Sequence, residues 1–248
     1  MQKVIVILGP TAVGKTALGK ALAKSLNGEI ISADATQIYR GLNIGSAKIS
    51  PQEQEGITHH LIDIKNFNES FNAFMFVDMA KKVIDEIIER GKTPIIVGGT
   101  NLYVTALIKN YQFEKSNKQE TPYQSKHQLG FEVFALNYQD RQMLYNKINA
   151  RVDLMLEQGL VNEVTRLKKE GLTSEMQAGK GIGYKEILAY LDNQCTYEFA
   201  VDKIKQHSRN FAKRQLTWLR SLPFVVWLDA ELSIEENKKI ILNKKTLN

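Results

Sequence analysis

The sequence predicts an α/β protein with a parallel sheet flanked by helices, and three observations carry that expectation. Through the first 110 residues, apolar strand-like runs alternate with helix-like runs, the pattern of a sheet covered on both faces. The first apolar run, Val4 to Leu8, leads directly into "GPTAVGKT", in which Gly9, Gly14, Lys15 and Thr16 fill the G-x-x-x-x-G-K-T spacing. Ala17, Leu18, Ala21, Leu22, Ala23 and Leu26 then recur at helical spacing. A strand that ends in such a turn and opens a helix makes the fold P-loop NTPase-like.

In chain order the pattern gives a strand at 3–8, a helix at 14–26, a strand at 29–33, a long loop, a strand at 60–64, a helix at 72–90, a strand at 94–98 and a helix at 100–109. The 72–90 helix shows its period clearly. Val77, Ala80, Ile84, Ile87 and Ile88 form one face, Lys81, Lys82, Glu86 and Glu89 the other, and Gly91 stops it. Residues 1–110 make the P-loop core. "NYQFEKSNKQETPYQSKHQ", from 110 to 128, is polar, lacks either period and reads as a linker. Beyond it come a strand at 131–136, helices at about 140–158 and 159–170, the turn "GKGIGYK", a basic helix around 197–220 and a strand at 224–229. Both late strands are expected to rejoin the main sheet, so residues 129–248 are a helical C-terminal elaboration of the same core.

At 248 residues and 43% hydrophobic, the chain can bury one sizeable core. No apolar run approaches the roughly 20 residues of a membrane span, and no leader pattern opens the chain, so a cytoplasmic location without membrane contact is expected. A single cysteine, Cys195, excludes an internal disulfide and a cysteine-rich zinc site. The net charge of +6 favours a polyanionic partner, although Lys238, Lys239, Lys244 and Lys245 read as a solvated tail. No obligate protein partner is evident, and a monomer is expected.

The glycine-rich turn aims successive backbone N–H groups at one point, at the N-terminus of a helix, and so cradles an anion. Lys15 would reach the outer phosphate of a di- or triphosphate, and Thr16 a magnesium ion. Chemistry in such a sheet gathers beyond the carboxyl ends of the strands. Asp34 follows the second strand and Thr100 the fourth. Asp34 could hold magnesium through water, act as a general base or cap the next turn, and Thr100 could serve substrate or cap its helix. His59 and His60 read as packing residues, since neighbours on a strand face opposite ways. Arg209, Lys213, Arg214 and Arg220 interleave with Phe211 and Trp218, as in a grip on phosphates and bases or in an ordinary amphipathic helix. On these parts alone, a nucleotide-binding small-molecule or nucleotide kinase using ATP or GTP comes first.

The chain also resembles the tRNA dimethylallyltransferases, or tRNA isopentenyltransferases, of the bacterial type without a zinc finger. The matching segments are "GPTAVGKT", "SADATQIYRGLNIGSAK", "HHLIDI", "GKTPIIVGGTNLY", "INARVDLMLEQGLVNEV", "GKGIGYKEI", "AKRQLTWLR" and "WLD", in family order across nearly the whole chain. The resemblance implies transfer of a dimethylallyl group from dimethylallyl diphosphate to N6 of the adenosine 3′-adjacent to a tRNA anticodon, with ATP not needed. By similarity the donor would lie on Gly9, Thr11, Ala12, Val13, Gly14, Lys15, Thr16 and Arg151, with Mg2+ on Thr16 and, as a further contact through water, Asp34. Asp34 would accept the N6 proton, with Thr100 as a second catalytic contact. The anticodon stem-loop would meet Asp34, Ala35, Thr36 and Gln37, then Lys180, Gly181, Ile182, Gly183, Tyr184 and Lys185, then Lys213, Arg214, Gln215, Thr217, Trp218 and Arg220.

The sequence departs from the family at two points. Ala35 stands where the family usually has serine, removing a hydroxyl contact to RNA. The helical insertion expected between "NLYVTALIKN" and "FEVFALN" is replaced by the short stretch 110–128. Either the protein lacks it, or its residues are left out of the sequence with the numbering closed up; the family pattern favours the second. A kinase would turn over ATP and ignore tRNA, whereas an RNA-binding relative without catalysis would tolerate loss of Asp34.

Overall fold

The computed structural model describes residues 1–110 and 123–246. Its elements are β1 (Gln2–Leu8), α1 (Lys15–Ser25), β2 (Gly28–Ala33), β3 (His59–His60), α2 (Ala73–Glu89), β4 (Thr93–Gly98), α3 (Asn101–Ile108), β5 (Leu129–Asn137), α4 (Arg141–Glu157), α5 (Leu160–Lys169), α6 (Tyr184–Leu191), α7 (Tyr197–Arg220), β6 (Val226–Asp229) and α8 (Ile234–Thr246). The strands form one parallel sheet in the order β3-β2-β4-β1-β5-β6, so both late strands rejoin it as expected.

β1 lies inside the sheet, with Val6 opposite Ile96 of β4 and Val133 of β5. Its unbroken apolar run follows from that position. Val4, Val6 and Leu8 enter a core built with α2, α3, α5 and α6, while Ile5 and Ile7 enter a second core built with α1 and α8. Helices α4 and α7 contribute to both cores, through Val152 and Ile204 on one side and Ile148 and Leu216 on the other. The C-terminal half is therefore bolted to the sheet.

Four expectations change. The strand predicted at 60–64 is only His59–His60, because Leu61 and Asp63 adopt φ of 59° and 54°, outside the range of a strand. Residues 184–191 form the helix α6 after the glycine-rich turn. The basic tail is the helix α8, anchored by the fully buried Ile241. Lys81, assigned to the solvent face of α2, is buried and donates to Asn110 Oδ1 at 2.7 Å. Of the predicted linker, 111–122 lie outside the described residues. Residues 123–126 are held by α2: Asp78 accepts the Tyr123 N–H, and Asp85 accepts the Tyr123 and Ser125 hydroxyls and the Lys126 N–H.

Candidate functional site

The loop after β1 has the shape its sequence requires. Gly9 takes φ of 145°, and a Cβ there would lie 2.6 Å from the Leu136 carbonyl oxygen of β5. Ala12 is held in the left-handed region at φ 66°, a local strain of about 1–2 kcal/mol that the surrounding contacts must sustain. Gly14, at φ 88°, is the N-cap of α1 and leaves the helix N-terminus open to an anion. Lys15 Nζ donates to the Pro10 carbonyl at 2.7 Å. Burial, chiefly, and the nearby Arg151 guanidinium lower its pKa from 10.5 to about 7, with Asp34 opposing them. Arg151, from α4, is also pulled down by burial and supported by Asp34. Two half-buried cations thus face one anion cradle.

Asp34 leaves the end of β2. Its Oδ1 accepts the N–H groups of Thr36 at 2.8 Å and Gln37 at 3.3 Å, so the carboxylate does cap the turn it opens. Oδ2 is not used in that cap. Thr100 occupies the N-cap position of α3, yet its hydroxyl makes no cap bond and accepts the Ala35 N–H at 3.0 Å. The hydroxyl hydrogen is left for a ligand.

Two cavities meet at this carboxylate. One, of about 310 Å3, lies against Thr11 to Thr16 and reaches Ile49, His59 and Ile62. The other, of about 520 Å3, is lined by Ala35, Thr36, Thr100, Lys180 to Gly183, Lys185 and Arg214. Thr11, Asp34, Gly99, Arg151, Phe211 and Gln215 line both. His60 bonds the buried Glu29 through Nε2 at 2.6 Å, as a packing residue would. His59 donates from Nδ1 to the Ile57 carbonyl at 2.8 Å but stands in the first cavity's wall.

Several expected RNA contacts sit elsewhere. Tyr184 is fully buried, donates its hydroxyl to Glu163 Oε1 at 2.8 Å and packs beneath Gly45, so it supports the site from below rather than facing a partner. Lys213 and Thr217 line an outer groove with Arg214, which also reaches the second cavity, and with Arg220 they line a further groove beside Arg141 and Tyr145. Trp218 donates from Nε1 to Thr105 Oγ1 at 2.9 Å, which anchors α7 on α3. Gln37 receives the Ser32 hydroxyl and donates to the Ser46 carbonyl, at the floor of the first cavity.

Two residues were missed or misplaced by sequence reasoning. Glu163 accepts the N–H groups of Asn43, Ile44 and Gly45 as well as the Tyr184 hydroxyl, fixing the loop that carries Gly45 and Ser46 into the second cavity. Its signal was a carboxylate within the apolar stripe Leu160, Val164 and Leu167 of α5. Gln215, grouped with RNA contacts, turns inward and bonds the phosphate loop and Gly99.

Among the described residues, no cluster of His, Cys, Asp and Glu could hold a metal, and no helix is long and apolar enough to cross a membrane. A family model described as IPP transferase matches residues 37–128 and 114–222. The tRNA dimethylallyltransferase of Lachnoclostridium phytofermentans is 39% identical, with 100% of both chains covered, and that of Streptococcus gordonii is 43% identical over 88% of this chain and 90% of its own. The alignment to the first runs over 315 positions, so that protein carries tens of residues without a counterpart here. The crystal structure of tRNA delta(2)-isopentenylpyrophosphate transferase from Staphylococcus epidermidis superposes with a TM-score of 0.90 at 35% identity, covering 100% of both chains.

Proposed function

The chain belongs to the IPP transferase family, and from that premise we propose that it transfers a dimethylallyl group from dimethylallyl diphosphate to N6 of the adenosine 3′-adjacent to a tRNA anticodon. The observation that carries the reading is the pair of cavities joined at Asp34, one against an anion cradle and the other against basic and glycine-rich segments. A kinase would also hold a donor and an acceptor in joined chambers, and it is the relatives' names that speak for prenyl transfer.

In this reading the donor's diphosphate lies on the loop amides, Lys15 and Arg151. The dimethylallyl group points toward the neck between the cavities, and the adenine enters the second. The N6 lone pair attacks the terminal methylene carbon, the carbon–oxygen bond breaks with its electron pair leaving on diphosphate, and the N6 proton passes to Asp34 Oδ2. Lys15 and Arg151 stabilise the charge that grows on the leaving group. The Thr100 hydroxyl and the Ala35–Thr36 segment, which line the second cavity, orient the acceptor, whose base must be turned out of the anticodon stack to reach Asp34.

The donor set also fits one divalent cation brought in by the diphosphate. Thr16 and Asp34 line the same cavity, and hard oxygen ligands suit Mg2+, which usually keeps several waters. Bound there, Mg2+ would add electrostatic stabilisation of the departing diphosphate. The two family matches overlap at 114–128, inside the stretch 110–128 that stands where the family's helical insertion is expected.

The test is to mix the purified protein with Mg2+, radiolabelled dimethylallyl diphosphate and unmodified tRNA, without ATP. Label is expected on the adenosine beside the anticodon. Donor binding with no label in the RNA would reject transfer to tRNA.

A further inference from the structure

Gln215 lies on α7, the helix that also carries Lys213, Arg214 and Trp218, but its side chain is 3% exposed and points away from the outer surface. Its Oε1 accepts the Thr11 N–H at 3.0 Å and its Nε2 donates to the Gly99 carbonyl at 2.9 Å. The Thr11 N–H belongs to the same peptide unit as the Pro10 carbonyl, and that carbonyl receives Lys15 Nζ at 2.7 Å. One peptide of the phosphate loop is therefore gripped on both sides, its N–H by Gln215 and its oxygen by the lysine that the anion would recruit. The next residue is Ala12, in its left-handed conformation.

The opposite end of the amide is equally confined. A Cβ added to Gly99 would come 2.3 Å from Gln215 Nε2, whereas one added to Gly98 would come 2.4 Å from the Ala33 carbonyl oxygen. The two adjacent glycines thus have different reasons. Gly98 permits β4 to approach β2, and Gly99 makes room for the glutamine.

We propose that Gln215 is a positioning residue for the donor: its amide clamps the Pro10–Thr11 peptide and so holds the strained loop and the Lys15 anchor in the geometry that receives a diphosphate. A strained residue at a ligand loop persists only when its surroundings over-determine it; this amide supplies one fixing bond, to Thr11, and is itself held in place by its other bond, to Gly99. The clamp comes from the helix expected to grip RNA, so the two substrates meet machinery built on one element. The inference rests on the donor reading of the loop given above.

The experiment measures dissociation constants for dimethylallyl diphosphate with Mg2+, and separately for an anticodon stem-loop RNA, in wild type, Gln215→Met, Gly99→Ala and the double variant. Methionine keeps the shape of glutamine and removes both hydrogen bonds. Donor affinity should fall about tenfold in Gln215→Met, the scale of one or two buried hydrogen bonds, while RNA affinity stays within about twofold. Gly99→Ala should reproduce the donor defect by displacing the amide, and the double variant should be no worse than either single one. A loss of RNA affinity with donor affinity unchanged would make Gln215 an RNA contact and overturn the proposal. Additive donor defects would also overturn it, since they would mean that the added methyl group meets the donor directly. Equal weakening of both ligands, with a lowered unfolding midpoint, would reduce Gln215 to a packing residue. A wild-type protein that binds no donor would remove the functional reading as well, which separates the two failures.

Discussion

Lys15 is held near pH 7 by burial first and by Arg151 second, so in the free protein much of its charge is absent at neutral pH. A diphosphate beside the ammonium would restore the charge, raising the pKa in the complex above its value in the free protein. The sign follows from that order. Binding gains from the proton below about pH 7 and loses that gain as pH rises toward the higher pKa of the complex, by up to about tenfold per unit. Donor affinity measured from pH 7 to 9 should therefore fall, and Lys15→Met should bind weakly with a much flatter profile. A wild-type profile as flat as the variant's would deny the linkage. Asp34→Ala should cut transfer by about a hundredfold or more with donor affinity nearly intact, the scale of a lost general base; unchanged single-turnover rates would remove that role. The loop and Asp34 were readable because their chemistry depends on near neighbours and on the end of a strand. Gln215 was not, because its partner Thr11 is 204 positions away.

At the level of elements, α7 and the loop between β2 and β3 hold the second cavity open. Lys213 and Arg214 have no ion-pair partner among the described residues, so substituting both with alanine should weaken tRNA binding and lower the slope of log K against log salt by about one to two. An unaltered slope would return α7 to a purely structural part. The loop is anchored at two points: Lys48 donates to the Tyr39 carbonyl, Asn43 and Asp63, and Glu163 takes three successive amides. Glu163→Gln offers one acceptor oxygen and a competing NH2 donor where four donors converge. We expect stability to drop by about 2 kcal/mol and the KM for tRNA to rise more than that for the donor, read from urea midpoints and steady-state kinetics. Strong periodicity made α2, α4 and α7 legible. By contrast, β3 was overextended because its apolar residues continue into turns with positive φ, and α8 was hidden because four lysines suggested a solvated end while one buried isoleucine secures it.

Across the whole molecule, the strand order explains both the site and a weak point under acid. Placing β4 between β1 and β2 brings Gly98 and Gly99 beside the phosphate loop and Asp34, which no local pattern could have revealed. At the opposite end of the same strands, Glu29 of β2 joins three elements. It bonds His60 of β3 at 2.6 Å, Arg90 after α2 at 2.7 Å and Lys92 before β4 at 2.9 Å. Burial pushes its carboxyl up, yet the hydrogen bonds from Lys92, His60 and Arg90 prevail and hold it at about 2, against 4.5 for the unperturbed group. The carboxylate itself is 4% exposed, but its partners Arg90 and Lys92 are 44% and 34% exposed, so solvent screens part of this effect. A folded-state pKa below the unfolded one stabilises the fold fully above about pH 4.5 and loses that contribution as pH falls toward 2. The amount is at most about 3 kcal/mol before that screening, still large beside the net stability of a domain. Glu29→Gln should accordingly unfold at lower urea concentration at pH 7 by up to that free energy and lose much of the steep decline between pH 4.5 and 2. Its fluorescence-detected acid transition should be flatter than that of the wild type. Parallel acid profiles for the two proteins would show that the acid sensitivity of the sheet lies in other carboxylates.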